Sequence, residues 1–250
     1  MIPRTRLNIM PRIYMNRSGV WPYLGERRLS FGDGPAVGSV TIHNRDRLPL
    51  LDRRDIYAHY TARFDVLIPP GLSGRFTVAP TVDDASRLAP AALWASVALP
   101  ELSMFECPLG DDALRHFREQ RGMHLLDLCG TLVTDASGPV LAGLVGLEWL
   151  SLTGTGIGTA GVEHLGGLPN LLRLSLRATM ITDNALVAVA RIPHLLWLSV
   201  ADTAITSYGI EALLARAPSL RTVVIARTPA AAEARTRTLP RRPGVELVLE

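Results

Sequence analysis

A chain of 250 residues, 48% of them apolar, is long enough for one extended core or two small domains and is unlike a disordered polymer. Two cysteines, Cys107 and Cys129, exclude a disulfide framework and a four-cysteine zinc site, and no run of about 18 uncharged apolar residues marks a membrane helix. The net charge of +3 is lopsided: residues 1–63 hold 11 Arg and 5 acids, residues 64–228 hold 11 Arg and 15 acids, so a nucleic-acid groove along the body is disfavoured.

In chain order, the opening stretch MIPRTRLNIMPRIYMNR scatters Arg and Pro through any apolar segment, which argues against a secretory signal and for a cytoplasmic, reducing location. Val40–Ile42 and Phe64–Ile68 read as strands and Pro69–Pro70 as a break, with Tyr57 to Tyr60 placed to pack against the neighbouring coil. Residues 1–70 are therefore expected to form an Arg-rich, β-rich N-terminal cap. Arg75-Phe76-Thr77-Val78, followed by Thr81, reads as a degenerate first copy of a pattern that begins near Leu72 and fills residues 71–250.

That pattern is a repeat of 24 residues. LPELSMFECPL, MHLLDLCGTLV, LEWLSLTGTGI, LLRLSLRATMI and LLWLSVADTAI begin at Leu99, Met123, Leu147, Leu171 and Leu195, and LRTVVIART begins at Leu220 after a step of 25. Apolar residues hold positions 1, 4, 6 and 11: Leu150, Leu152 and Ile157, then Leu174, Leu176 and Ile181, then Leu198, Val200 and Ile205. Position 9 reads Cys107, Thr131, Thr155, Thr179, Thr203 and Thr228.

On these residues the chain resembles the leucine-rich-repeat family, whose pattern is LxxLxLxx(N/T/C)xL, and within it the short bacterial repeats with Thr at position 9. The resemblance implies an α/β fold: a right-handed solenoid with a curved parallel sheet on the concave face and short helices on the convex face. It also implies that position 9 forms a polar ladder bonding the adjacent loop, through a hydroxyl rather than the usual carboxamide.

The chemistry of each copy agrees. Alternation at positions 4 and 6 makes a short strand with one face inward. Asp111 or Asp112, Asp183 and Ser207 are expected as helix N-caps; Leu186, Val189 and Ile192, and before them Val162, Leu165 and Leu168, point inward. Pro169, Pro193 and Pro218 stop the helices. Pro229 to Arg237 makes a last helix, and Val245–Leu249 a final strand.

Candidate catalytic chemistry is sparse. With no Lys among the 26 basic residues, P-loop and Schiff-base mechanisms are absent. Gly156-Ile157-Gly158-Thr159-Ala160-Gly161 matches GxGxxG, yet it lies in phase with the other repeats and lacks the acid expected roughly 20 residues on. The six histidines fall in different phases, and Asp83-Asp84 and Asp111-Asp112 sit where helix starts need acids. Both cysteines are expected as free thiols. No catalytic residue, metal or cofactor is assigned.

What remains is the outward face of the sheet, at positions 3, 5 and 7. Position 3 brings Trp149, Arg173 and Trp197 onto successive strands beside a row of Ser that includes Ser175; Phe105, Asp127 and Arg177 complete the candidate surface. Trp and Arg are enriched in interface hot spots, so the expected function is non-enzymatic binding of an unidentified protein partner. Two other readings stand beside it: an adaptor anchored to nucleic acid or acidic surfaces by the Arg-rich start, and a small enzyme or regulatory fragment of a larger multi-domain protein.

Overall fold

The structure, a computed structural model, describes residues 27–29, 38–43, 56–61, 66–68, 73–88, 100–236 and 242–249. The expected break at Pro69–Pro70 and the expected repeat starts at Leu72 and Leu99 lie outside the described residues.

The N-terminal strands are β1 (Arg27–Leu29), β2 (Gly38–His43), β3 (Ile56–Thr61) and β4 (Val66–Ile68). β1 and β4 pair antiparallel as a separate two-stranded sheet. β2 lies between β3 and β5 (Ser73–Val78), antiparallel to both, so the expected β-rich cap continues the main sheet. From β5 onward every pairing is parallel: β6 (Glu101–Ser103), β7 (Leu125–Asp127), β8 (Trp149–Ser151), β9 (Arg173–Ser175), β10 (Trp197–Ser199), β11 (Thr222–Val224) and β12 (Glu246–Val248) succeed one another in space.

Register explains why three residues per coil suffice for a strand. Leu102, Leu126, Leu150, Leu174, Leu198 and Val223 are consecutive Cα partners, and all are fully buried. Leu152, Leu176 and Val200, and Ile157, Ile181 and Ile205, form further buried columns. Burying one such side chain is worth roughly 1.5–3 kcal/mol, but a single coil cannot cover it; the neighbour does. Arg75 of β5 pairs with Glu101 of β6, so the degenerate first copy is a true member of the array.

The opposite wall holds helices α1 (Asp111–Arg115), α2 (Gly138–Gly143), α3 (Thr159–Glu163), α4 (Asp183–Val189), α5 (Ser207–Arg216) and α6 (Pro229–Thr236). Val162, Leu165, Leu168, Leu186, Val189 and Ile192 are buried beneath them as expected.

The capping assignment needs correction. The N-caps of α1, α4 and α5 are Gly110, Thr182 and Thr206, and none uses a side-chain cap bond. Asp111 and Asp183 instead reach forward one coil. Asp111 accepts from the Thr134 N–H (2.9 Å) and hydroxyl (2.6 Å) and from the Ser137 hydroxyl; Asp183 accepts from the Thr206 N–H (2.9 Å) and hydroxyl. Asp135, one repeat after Asp111, accepts from the Gly158 and Gly161 N–H groups. Ser207 closes the series by donating to Glu233. Position 13 is thus a polar ladder between coils, a use of the carboxylate that competes with capping its own helix.

A second regularity lies at the end of each strand. Glu106, Gly130, Gly154, Ala178, Asp202 and Arg227, all at position 8, have φ between 52° and 69°. The N–H groups of the first five donate across to the next coil, as from Gly130 to Thr153 (2.9 Å), Gly154 to Arg177 (2.9 Å) and Ala178 to Ala201 (2.9 Å). The Thr column acts differently from the expected cross-coil ladder. Thr131, Thr155, Thr179, Thr203 and Thr228 are buried, and each hydroxyl donates to the carbonyl three residues earlier in its own coil, for example Leu128 (2.7 Å) and Leu176 (2.6 Å). At this buried position the hydroxyl clamps its own turn, and the backbone makes the crossing. Cys107 differs by reaching back, its thiol 3.6 Å from the Val78 and Ala79 carbonyls.

Candidate functional site

The outward face of β6 to β11 is not uniformly open. Glu101 and Leu125, at position 3, are 0% and 2% exposed, and Ser103, Ser151 and Ser199 at position 5 are buried. The face opens at β8, where Trp149 is half-buried, Arg173 of β9 exposed and Trp197 of β10 half-buried. Trp149 and Trp197 each pair with Arg173 as Cα partner. Two strand spacings place the tryptophan backbones about 10 Å apart. Ser151 and Ser199 lie low beside this triad, since a hydroxymethyl group is overtopped by its neighbours.

Among the described residues the Arg173 guanidinium forms no hydrogen bond or ion pair; only the backbone N–H is engaged, donating to the Glu148 carbonyl at 3.0 Å. The other face arginines are committed. Arg177 donates to Asp202 at 2.8 Å, and the same carboxylate takes two bonds from Arg227, one of them 2.6 Å. Hydrogen bonding from Arg227 is the main reason the Asp202 carboxyl falls to about 2; desolvation opposes it, and Arg177 assists. Arg75 donates to Glu101 at 3.0 Å, and His124 Nε2 lies 3.9 Å from the other Glu101 oxygen.

Ser175 shares a 2.7 Å hydrogen bond with Thr153. Asp127 accepts from the Cys129 N–H at 3.1 Å; burial raises its carboxyl, opposed by that bond, by Arg75 and by Ser151. Phe105 is 45% exposed on the turn after β6, three strands from Arg173. Of the candidate residues, Trp149, Arg173 and Trp197 are brought together on adjacent strands, with Ser175 beside them on the strand of Arg173. Asp202 and Arg227 went unnoticed in the sequence, although Gly130-Thr131 and Gly154-Thr155 marked the position-8 turn that displays them.

The GxGxxG segment has a structural answer. A dinucleotide turn presents free N–H groups at a helix start. Here the N–H groups of Gly158 and Gly161 are held by the Asp135 carboxylate, which fills the place a phosphate would take. Both cysteines are free. Burial pushes the Cys107 thiol up to about 11; burial, then the charges of Asp127 and Glu106, raise Cys129 against Arg177. Among the described residues there is no metal-ligating cluster, and no helix is long and apolar enough to cross a membrane.

The columns and register define the class: a parallel-sheet solenoid with the architecture of leucine-rich repeats, its sheet face open at β8 to β10. No family model matches the chain, and no curated protein does. Among solved structures, an internalin from Listeria monocytogenes is similar at 18% identity and a TM-score of 0.43, over 58% of this chain. The match spans 45% of the internalin, so this chain corresponds to less than half of that protein.

Proposed function

We propose that the chain is a non-enzymatic interaction module, of the short-repeat type with Thr at position 9, that binds a protein partner on its open sheet face. The observation that carries this reading is the registered triad Trp149–Arg173–Trp197: large aromatic area and a cation at the centre of a surface otherwise floored by Ser. Truncating such anchors costs roughly 2 kcal/mol or more in interfaces where they act as hot spots. We place the module in the cytoplasm of a bacterium, with residues 1–70 as cap and 71–250 as solenoid. The test is affinity capture with the wild-type chain and a Trp149→Ala/Trp197→Ala variant of unchanged circular dichroism. Loss of the partner from the variant supports the reading; equal recovery removes this face from consideration.

A second reading, anchoring to nucleic acid or acidic surfaces, is favoured by the 11 Arg and 5 acids of residues 1–63. Binding to heparin that falls steeply with salt and disappears when those arginines are replaced by Gln would support it; salt-independent binding would dismiss it.

A further inference from the structure

We infer that the open face recognises a protein segment in which a carboxylate is flanked by apolar side chains, with Arg173 receiving the carboxylate and Trp149 and Trp197 the flanks. This rests on the reading of that face as the binding surface and gives its partner a chemistry.

Charge complementarity is the ground. Of the arginines on the face, Arg75 is joined to the fully buried Glu101 and Arg177 to Asp202, which also holds Arg227. Arg173 is left exposed, its guanidinium without a hydrogen bond or ion pair among the described residues. It is bordered on both neighbouring strands by indoles rather than by acids. The nearest acid on the outward strand positions, Asp127, lies two strands away and is half-buried with a bond from Cys129. A guanidinium presents planar donors that match a carboxylate two at a time, and apolar walls beside it reduce competition from water. The indoles on either side ask for apolar contact. Ser151 and Ser199, 5% and 4% exposed, keep the floor low enough for a backbone to approach.

A phosphate polymer fits less well. Neutralising successive phosphates needs several free cations, whereas among the described residues this face offers Arg173, in a stretch (residues 64–228) where acids outnumber arginines 15 to 11.

The experiment is selection of displayed 12-residue random peptides on the full chain, with Trp149→Ala/Trp197→Ala as counter-selection, then titration of the enriched peptides and their Glu→Gln and Asp→Asn counterparts. The expected winners carry an acid beside apolar residues and bind wild type at least tenfold more tightly than their amide counterparts. Arg173→Gln abolishes that difference, and Arg191→Gln, at an exposed arginine after α4, preserves it. Winners without acids, or amide counterparts binding within twofold, overturn the carboxylate inference while leaving the face as a binding surface. Absence of any enrichment over the double variant overturns both. A single-stranded RNA 12-mer that outcompetes the peptides and is itself lost with Arg173→Gln overturns the inference in favour of nucleic acid.

Discussion

The carboxylate of Asp135 accepts hydrogen bonds from the backbone N–H groups of Gly158 (2.6 Å) and Gly161 (2.9 Å), at the start of the helix one coil further on. A Cβ on residue 161 would sit 2.6 Å from that same carboxylate, so the glycine and the acid are matched across the coil boundary. Replacing Asp135 by Ala leaves two N–H groups without their charged acceptor and should destabilise the fold by about 2 kcal/mol; Asn, which keeps one acceptor oxygen, should lose about half of that. Urea midpoints of the two variants check the order, and midpoints equal to that of the wild type would show that the ladder adds nothing.

The position-8 turn has a sign that can be read in two substitutions. Gly154 has a φ of 65° and open space for a Cβ, so Gly154→Ala should cost about 1 kcal/mol from backbone strain alone. Ala178 holds a φ of 52° without that freedom, and Ala178→Gly should be neutral or stabilising by up to about 1 kcal/mol. Thermal midpoints falling by the same amount in both variants would contradict the turn geometry.

The Asp202 carboxyl titrates at about 2 in the folded protein, held down chiefly by Arg227. An unfolded Asp titrates near 3.9, so the stabilisation is complete above about pH 4 and is lost as pH falls through about 2. The site is open to solvent, and salt should weaken it. Carboxyl NMR is the check: a midpoint near 2 at low salt that rises in 1 M NaCl is expected, and a midpoint near 4 in both would deny the bridge.

Thiol chemistry separates the two cysteines. Cys107 is fully buried with its pKa at about 11, and should stay inert to a disulfide reagent at pH 8 until the protein unfolds. Half-buried Cys129, raised by burial and by Asp127, should react slowly in the folded state. Prompt reaction of Cys107 without denaturant would contradict its placement.

The repeat was legible because its residues face a uniform environment: Leu150, Leu174 and Leu198 each meet the same core, so each position keeps the same side-chain type. The Trp149–Arg173–Trp197 alignment came from the period alone. What escaped was the direction of polar bonds. Asp183 at a helix start looks like a cap in sequence, and only the stacking of coils brings the Thr206 N–H within its reach. The burial of Glu101 and Leu125 also escaped, because a strand's own alternation does not fix exposure; at Glu101, Arg75 and His124 flank the carboxylate.

Residues 24 apart are lateral neighbours across parallel strands, and every column of the solenoid depends on that placement. Cross-strand nuclear Overhauser effects report it directly. Strong backbone contacts are expected along Leu126, Leu150, Leu174 and Leu198, with the indoles of Trp149 and Trp197 both close to the Arg173 side chain. Backbone contacts confined to residues near in sequence, or indole protons meeting the methyl groups of Leu150 and Leu198 in the core, would contradict it.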